Sequence, residues 1–296
     1  MVGARRAAGA VCDREPLRSL SHYAEPMSDA AGAGSAHPVD VDGVLLDIDG
    51  VIATSWRPLP GAADALEELE RRGIPRAFLT STTSRTRAEI VERLAAGGIA
   101  VDADEVLTAA VLTSEYLQAT HPGARVWLIN SGADLTEDMT GVAFDAADPE
   151  LVVLGGAGAA FDHLTLSRVV ELMLEGTPVV AMHRGVVWAT EDGLRVDTGL
   201  YLPGLEEAGG EGITVVGKPS ITAFLSAAEV VGVEPTRLLM VGDDLHSDVI
   251  AAQRAGLTGA LVRTGKYREA VVDVSPDKPD RIIDSIGDLP ALLGRS

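Results

Sequence analysis

The sequence contains little cysteine, no long apolar run and few basic residues for its number of acidic ones. Cys12 is the only cysteine in 296 residues, which excludes a disulfide framework and a cysteine-based zinc cluster and suits a cytoplasmic location. No apolar run approaches the roughly 18–20 residues that span a bilayer. The net charge of −20 argues against a nucleic-acid partner or an anionic membrane surface, because phosphate backbones are bound through clustered Lys and Arg. A small phosphorylated substrate is not excluded, since it needs only a few local donors or a metal ion.

The order of apolar segments indicates an α/β protein. The hydrophobic fraction of 46% supports a buried core, and from Val41 short apolar runs alternate with helical patterns, as in a doubly wound, Rossmann-like parallel sheet. Strands are predicted at 43–46, 75–80, 213–216, 237–241 and 258–262, and helices at 62–72, 85–96, 222–231, 249–255 and 286–293. Strand-like segments at 125–130, 151–154 and 178–182, with a helix at 164–174, predict a separate inserted α/β layer.

These patterns divide the chain into four parts. Residues 1–38 are rich in Ala, Gly and Ser without periodicity, so we interpret them as a flexible tail or as an over-called start, with Met27 as the later initiation. Asp13 and Glu15 among the arginines disfavour an organelle transit peptide. The core domain is predicted at 39–112 and 198–296, and the inserted domain at 113–197.

The pattern Asp-x-Asp-Gly-Val occurs twice, at Asp40 and at Asp47. Ligands of open α/β sheets bind at the carboxyl ends of the strands. Asp47 directly follows the apolar run at 44–46 and emerges at the end of a strand, whereas Asp40 precedes that strand. A calcium-binding EF-hand is excluded, because position twelve counted from Asp40 is Val51 and not Glu. We therefore expect the second copy, with Asp47 and Asp49, to carry the chemistry.

Other polar residues follow predicted strands at the same edge. The run Thr80-Ser81-Thr82-Thr83 ends the second strand, and its alternative role is to cap the next helix. Lys218 follows the strand at 213–216, where a lysine is more often a plain surface residue. Asp243, Asp244 and Asp248 follow the strand at 237–241. Converging carboxylates repel one another, and a hard divalent cation such as Mg²⁺ relieves that repulsion.

Together these residue types predict phosphoryl transfer. Asp47 would attack phosphorus and form an aspartyl-phosphate, and Asp49 would protonate the leaving oxygen and then activate water. Mg²⁺, Lys218 and a hydroxyl or amide near Thr80 would neutralise the phosphate oxygens, where charge resides in the transition state.

Four segments resemble the motifs of the haloacid-dehalogenase-like phosphatase superfamily. They are Asp47-x-Asp49-Gly-Val, Thr80, Lys218 and Gly-Asp243-x-x-x-x-Asp248. The segments Val216-Gly-Lys-Pro-Ser220, Val241-Gly-Asp-Asp244 and Val262-Arg-Thr-Gly-Lys-Tyr267 are similar to one branch of its subfamily IIA. That branch carries a C2-type cap between the second and third motifs and includes the phospholysine phosphohistidine inorganic pyrophosphate phosphatases. The resemblance covers roughly residues 41–293.

The resemblance implies a Mg²⁺-dependent phosphatase of small phosphorylated metabolites. It makes Asp47 the nucleophile and Asp49 the acid/base. It implies that Mg²⁺ is held by Asp47, the backbone carbonyl of Asp49 and Asp243, with Asp248 supporting the metal shell or Lys218. The inserted domain would then be a cap that closes over the substrate.

The resemblance also implies a set of phosphate- or substrate-binding residues. These are Thr80, Ser81, Thr82, Lys218 and His183. Relatives commonly carry Asn where this chain has Ser81, which leaves open whether Ser81 contacts phosphate. Many members carry an Asn-x-Asp-type loop where this chain has His183, so that His183 either affects substrate choice or is hydrogen-bonded within its loop. The cap often mediates dimerisation in relatives, and a homodimer through the cap is a further expectation.

Two other hypotheses remain open from the residues. A phosphosugar mutase or other phosphotransferase would use the same chemistry with a second substrate in place of water. A non-catalytic phosphate-binding regulator, such as a phosphoryl-switch receiver, also combines clustered Asp, a hydroxyl and Lys. Receivers place the phosphorylated Asp after a later strand, however, and they lack both an equivalent of Asp49 and an insert.

Overall fold

The computed structural model describes residues 38–190 and 193–293. The tail predicted at 1–38 therefore lies outside the described residues, apart from Pro38. Within the described ranges, no helix is both long and apolar enough to cross a membrane.

Strands and helices alternate along residues 43–120. In chain order they are β1 (Gly43–Leu46), β2 (Ala53–Thr54), β3 (Arg57–Pro58), α1 (Ala62–Arg71), β4 (Arg76–Thr80), α2 (Arg87–Ala96), β5 (Val106–Thr108) and α3 (Ala109–Thr120). Helix α2 begins two residues later than predicted because Thr86 caps it. The Thr86 hydroxyl accepts the Glu89 N–H at 3.2 Å, and the Glu89 carboxylate accepts the Thr86 N–H at 3.0 Å, which satisfies two N–H groups of the first turn.

The middle of the chain forms a second sheet. Its elements are β6 (Arg125–Ile129), β7 (Ala143–Phe144), β8 (Leu151–Leu154), α4 (His163–Leu174), β9 (Val179–Ala181), β10 (Val187–Thr190), β11 (Gly193–Val196), α5 (Leu202–Gly209) and β12 (Thr214–Val215). The parallel order is β12-β9-β8-β6-β7, and β10 and β11 form a separate antiparallel hairpin. The prediction for 213–216 was wrong in one respect: Thr214 pairs with Val180 of β9, not with the first sheet. A short apolar run suits either parallel sheet, so the pattern does not distinguish them.

The last part of the chain returns to the first sheet. Its elements are α6 (Ile221–Val231), β13 (Leu238–Gly242), α7 (Ala251–Arg254), β14 (Thr258–Val262), α8 (Glu269–Val274), β15 (Arg281–Ile283) and α9 (Leu289–Leu292). A π-helical turn at Leu245–Ile250 precedes α7, so the helix predicted at 249–255 starts earlier. Asp244 caps this turn, because its Oδ1 accepts the N–H groups of His246 and Ser247, each at 3.0 Å.

The first sheet has the order β15-β14-β13-β1-β4-β5, and all its pairs are parallel. The chain runs from β1 to β4 and β5 on one side and returns through β13, β14 and β15 on the other. This confirms the predicted doubly wound α/β core with an additional α/β layer. The limits predicted for the inserted domain, 113–197, stay a prediction. Ligand sites of such sheets form where the strand order reverses, at the carboxyl ends of the strands.

Alternate residues of β1 pack into two different cores. Leu46 lies in the cluster that contains Leu69 of α1, and Leu45 lies in the cluster that contains Phe224 of α6. The cluster around Leu45 and Phe224 also contains Val153 of β8. The same apolar interior therefore continues from the first sheet to the second, with both faces of β1 buried as parallel strands require.

Candidate active site

Strands β1, β4 and β13 are neighbours in the first sheet, and a polar residue ends or follows each of them. Asp47 follows β1, Thr80 ends β4 and Asp243 follows β13. Leu46 pairs in parallel with Val241, and the Asp47 N–H continues this ladder to the Val241 carbonyl at 3.0 Å. Regular pairing up to the last residue therefore brings these side chains to one edge of the sheet.

Lys218 contacts two buried carboxylates. Its Nζ lies 2.7 Å from Asp47 Oδ1 and 2.8 Å from Asp248 Oδ1, and none of the three side chains is more than 4% exposed. Burial alone lowers the pKa of Lys218, but Asp248 and Asp47 raise it by more, so its pKa lies above the ordinary value and the ammonium stays charged. Burial raises the pKa of Asp47 to about 6, although Lys218 opposes this shift.

Lys218 reaches this edge from the end of the second sheet. The Gly217 N–H donates to the Met182 carbonyl at 2.9 Å, and the Lys218 carbonyl accepts the Arg184 N–H at 3.2 Å. A Cβ at position 217 would lie 2.2 Å from the Met182 oxygen, so this approach requires glycine. The lysine is thus fixed by backbone contacts within the second layer, and only its side chain enters the first.

Asp243 completes a group of three buried carboxylates. One oxygen of each of Asp47, Asp243 and Asp248 lies within 4.8 Å of the others. Asp243 Oδ2 accepts the Lys266 N–H at 2.8 Å. Its Oδ1 is buried and has no hydrogen-bond partner in the part of the chain that the structure describes. The Lys266 ammonium lies 3.9 Å from this oxygen, beyond hydrogen-bonding distance.

The composition of this group fits a metal ion. Burial, with a further contribution from Asp47, raises the pKa of Asp243 to about 8, which means that the three carboxylates cannot all ionise easily without added positive charge. A hard divalent cation binds such all-oxygen groups. Gly50 and Gly265 leave room for the Asp243 carboxylate itself, because a Cβ at position 50 or 265 would lie 2.0 or 1.9 Å, respectively, from Asp243 Oδ2.

Asp49 lies beside this group and is not one of its three members. The Thr82 hydroxyl donates to Asp49 Oδ2 at 3.3 Å. Asp49 is exposed, yet the surrounding protein displaces enough water to raise its pKa above the ordinary value. A carboxyl group with a raised pKa that water still reaches can both donate and accept a proton. Its predicted role as a metal ligand depended on its backbone carbonyl and stays a prediction.

The hydroxyl run at the end of β4 is held by hydrogen bonds between its own members. The buried Thr80 hydroxyl donates to Thr82 Oγ1 at 3.0 Å and accepts the Thr82 N–H at 3.2 Å, while Ser81 is half-buried. The alternative role of this run as a helix cap is wrong, since Thr86 caps α2. Direct contact of Thr80, Ser81 and Thr82 with phosphate stays a prediction.

His183 lies in the loop that also contacts the Lys218 backbone. Its side chain is 1% exposed, and its Nδ1 accepts the Gly185 N–H at 3.1 Å. Its Nε2 lies 3.8 Å from Asp197 Oδ2. Burial lowers the pKa of His183, which favours the neutral ring. The geometry matches the alternative of a loop histidine, and a role in substrate binding stays a prediction.

Sequence reasoning missed Asn130, which connects the two layers. Its Nδ2 donates to the Thr83 carbonyl at 3.1 Å, and its Oδ1 accepts the Gly156 N–H at 2.7 Å. A Cβ at Gly132 would lie 2.4 Å from the same Thr83 oxygen. The signal was available, because Asn130 follows an apolar strand just as Asp47 does. Lys266, in the segment 262–267, was not predicted as a site residue, although its N–H donates to Asp243.

Comparisons with known proteins agree with this arrangement. A family model described as haloacid dehalogenase-like hydrolase matches residues 44–145, and a HAD-hydrolase-like model matches residues 215–289. The matched ranges contain Asp47, Asp49, Thr80, Lys218, Asp243 and Asp248.

Relatives match over most of the chain. The haloacid dehalogenase-like hydrolase domain-containing protein 2 of Bos taurus is 35% identical, over 78% of this chain and 87% of that protein. The phospholysine phosphohistidine inorganic pyrophosphate phosphatase of Homo sapiens is 32% identical, over 86% and 94%. Among solved structures, a 4-nitrophenylphosphatase from Thermotoga maritima has a TM-score of 0.79 at 26% identity, over 86% and 98%. A p-nitrophenyl phosphatase from Archaeoglobus fulgidus has a TM-score of 0.77 at 28% identity, over 85% and 99%.

Proposed function

The chain belongs to the haloacid dehalogenase-like hydrolases, and from this premise we propose that it is a Mg²⁺-dependent phosphatase that acts through an aspartyl-phosphate on Asp47. The observation that carries the proposal is the buried contact between Asp47 and Lys218 beside two further carboxylates. The phosphatase names of the relatives support the reaction class. The substrate would be a small phosphorylated metabolite.

The first step transfers the phosphoryl group to the enzyme. An oxygen of Asp47 forms a bond to phosphorus, the bond from phosphorus to the leaving oxygen breaks, and Asp49 donates a proton to that oxygen. The Lys218 ammonium, 2.7 Å from Asp47, holds the carboxylate in position and supplies positive charge to the phosphate oxygens. The exposure of Asp49 and its raised pKa suit the protonated form that this step needs.

The second step returns the enzyme to its starting state. Asp49, now ionised, takes a proton from water, and the water oxygen attacks phosphorus. The bond between phosphorus and Asp47 breaks, which releases orthophosphate and restores the carboxylate. One residue thus acts first as an acid and then as a base.

The residues that would hold Mg²⁺ are Asp47 and Asp243, supported by Asp248 and the backbone carbonyl of Asp49. When bound, the ion supplies positive charge that polarises the phosphoryl group and offsets the charge of the carboxylates. The second layer would act as the cap over the substrate, and a homodimer through this layer stays part of the proposal.

A phosphate-release screen tests the proposal. Purified protein with Mg²⁺ is incubated with a panel that includes pyrophosphate, phosphohistidine, sugar phosphates and 4-nitrophenyl phosphate. A parallel series contains EDTA in place of Mg²⁺. We expect Mg²⁺-dependent release from at least one compound and none from the Asp47→Asn variant. No release from any compound, or equal release by Asp47→Asn, overturns the proposal. Consumption of a compound only when an alcohol or sugar acceptor is present, with the phosphoryl group recovered on that acceptor and not as free phosphate, identifies a phosphotransferase instead.

A further inference from the structure

Lys266 lies in the loop after β14, which packs against the group of three buried carboxylates. Its backbone N–H donates to Asp243 Oδ2 at 2.8 Å, and the Thr264 hydroxyl donates to the Gly50 carbonyl. A Cβ at Gly265 would lie 1.9 Å from Asp243 Oδ2, so only glycine allows the loop to approach this closely. The backbone of Lys266 is therefore held beside Asp243, and its side chain extends from that point.

The Lys266 ammonium has no hydrogen-bond partner among the residues that the structure describes. Its Nζ lies 3.9 Å from Asp243 Oδ1, and its side chain is 41% exposed. The Lys218 side chain, in contrast, is 4% exposed, and its Nζ contacts both Asp47 and Asp248. An ammonium carries three N–H donors. Lys218 thus uses two of them within the protein, whereas Lys266 keeps all of its donors available for a ligand.

The Lys266 side chain is charged, and its charge reaches the proposed acid/base. Partial burial lowers the pKa of Lys266, but the group of three buried carboxylates raises it by more, so that its pKa lies above the ordinary value. Burial raises the pKa of Asp49, and Lys266 is the neighbour that opposes this shift most. Because interactions between charges weaken with distance, the ammonium is close to Asp49 as well as to Asp243.

We propose that Lys266 binds the phosphoryl group that the enzyme transfers, an inference that rests on the proposed function. Lys218 contacts Asp47 from within the protein, so a substrate reaches Asp47 from the solvent side, where the half-exposed ammonium of Lys266 stands. In the transition state the negative charge resides on the non-bridging oxygens of the transferred group. An ammonium already positioned beside those oxygens stabilises that charge.

The alternative role for Lys266 is that of a permanent counter-ion of Asp243. Hydrogen bonds between an ammonium and a carboxylate measure about 2.7–2.9 Å, and Lys218 makes two contacts of this kind, at 2.7 and 2.8 Å. Lys266 makes none, although Asp243 Oδ1 is buried without a hydrogen-bond partner in the described ranges. An unmade ion pair at 3.9 Å is the arrangement expected of a cation whose partner is the substrate.

Binding of inorganic orthophosphate tests this role without any turnover. Isothermal titration calorimetry with saturating Mg²⁺ gives the Kd of orthophosphate for each protein. Lys266→Met should raise this Kd about 10- to 100-fold, which is the effect of one hydrogen bond to a charged group. Lys266→Arg keeps the charge and the N–H donors, so it should retain most of the affinity. Lys278→Met is the matched control, because the Lys278 ammonium donates to the carbonyls of Val272 and Asp273.

A Mg²⁺ titration without phosphate separates phosphate binding from metal binding. Mg²⁺ should bind Lys266→Met at least as tightly as it binds the wild type, because the substitution removes a positive charge that repels the ion. Weaker Mg²⁺ binding by Lys266→Met would mean that Lys266 supports the metal ligands, and it overturns the inference. In steady-state assays, kcat/KM of Lys266→Met should fall with every panel compound that the wild type hydrolyses, and Lys266→Arg should restore most of it.

The outcomes separate this inference from the proposed function. An orthophosphate Kd that is the same in Lys266→Met as in Lys278→Met, or a wild type that binds no orthophosphate, overturns the role of Lys266 and leaves the phosphatase standing. An equal loss of affinity in Lys266→Arg and Lys266→Met has the same meaning. Weaker orthophosphate binding by Lys266→Met, without phosphate release from any panel compound by the wild type, overturns the proposed function and leaves Lys266 as a phosphate-binding residue. Circular dichroism shows whether each variant is folded, and Lys266→Gln replaces Lys266→Met if the latter is not.

Discussion

Lys218 and Asp47 form a buried ion pair between the two layers of the protein, with 2.7 Å from Nζ to Oδ1. Asp47 extends a strand of the first sheet, and Lys218 follows a strand of the second. Lys218, Lys266 and Lys278 are the lysines of the chain, and the first two lie at the acidic group. Local positive charge is therefore concentrated at the point where a strongly acidic protein would otherwise repel a phosphate.

Replacement of Lys218 by Met should destabilise the protein as well as inactivate it. The variant leaves Asp47 and Asp248 buried without their shared counter-charge, and breaking a buried pair in this way costs about 3–5 kcal/mol in the free energy of unfolding. Urea denaturation measures that loss, and Lys278→Met, at an exposed position, is the control. A Lys218→Met protein as stable as the wild type would show that the ion pair contributes nothing.

The two copies of Asp-x-Asp-Gly-Val should respond differently to the same substitution. Asp47→Asn removes the nucleophile and should lower kcat to the background of the assay. Asp40→Asn should change kcat less than about twofold, because Asp40 lies at the opposite edge, where its exposed carboxylate pairs with Arg237 at 2.8 Å, and exposed pairs contribute about 0–1 kcal/mol. Steady-state phosphate release from both variants checks this, and residual turnover in Asp47→Asn would contradict the role of Asp47.

Asp49→Asn should separate the two half-reactions. Loss of a positioned acid/base typically lowers the rate about 10²–10⁴-fold. With 4-nitrophenyl phosphate the leaving group needs little protonation, so the second step should suffer more than the first. We expect a burst of nitrophenol followed by slow turnover. Acid quenching shortly after mixing should recover phosphorus bound to the protein. A fall in rate without a burst would place the main defect in the first step.

The position of Asp47 was predictable, whereas the sheet that supplies Lys218 was not. An apolar run of three residues before Asp47 indicates a buried strand, and the carboxyl-end rule then locates the side chain. The same reasoning assigned 213–216 to the wrong sheet, because strand pairing depends on contacts distant in sequence. Lys218 nevertheless reaches Asp47, since the loop after β12 lies at the boundary of the two layers.

The conformation of the β2–β3 turn and the partners of Asn130 could not be read from the sequence. Ser55 and Trp56 join β2 to β3 with φ angles of +48° and +63°, a turn conformation that usually calls for Asn and Gly, so local preference argues against it. Asn130 stands at a strand end, but its side chain contacts backbone groups of Thr83, Ala133 and Gly156, and no spacing rule brings those segments together. Where tertiary contacts decide the conformation or the partners of a residue, pattern analysis can at most locate the residue.

Gly50→Ala should disrupt the acidic group through steric contact rather than backbone strain. The new Cβ would lie 2.0 Å from Asp243 Oδ2, and the residue has a φ of +81°. Gly123→Ala is a matched control, because Gly123 has a φ of +77° but no atom within 4 Å of the added Cβ. Both variants should lose about 1 kcal/mol of stability from the left-handed backbone. Gly50→Ala should lose more because Asp243 must shift, and only Gly50→Ala should lose Mg²⁺-dependent activity. Equal activity in the two variants would contradict the close approach to Asp243.

The raised pKa values of Asp47 and Asp243 should make the metal-free protein less stable as the pH rises. Their ordinary value is 3.8, and in the folded protein they titrate at about 6 and about 8. Between these limits the folded state binds more protons than the unfolded state, so this contribution to stability is complete below pH 3.8 and is lost as the pH rises towards 8. Mg²⁺ would take the place of these protons. We therefore expect Mg²⁺ to raise the Tm more at about pH 8 than at about pH 5.

Asp243→Asn isolates this effect from the other acidic groups, which both proteins share. In EDTA, the Tm of the variant should fall less than that of the wild type between about pH 5 and pH 8. The reason is that the substitution removes the Asp243 carboxyl, which has the larger of the two raised pKa values. The increase in Tm on addition of Mg²⁺ should also be smaller in the variant at both pH values. Thermal melts followed by circular dichroism provide the measurement. An increase in Tm that does not depend on pH, or that persists in full in Asp243→Asn, would mean that the ion binds elsewhere.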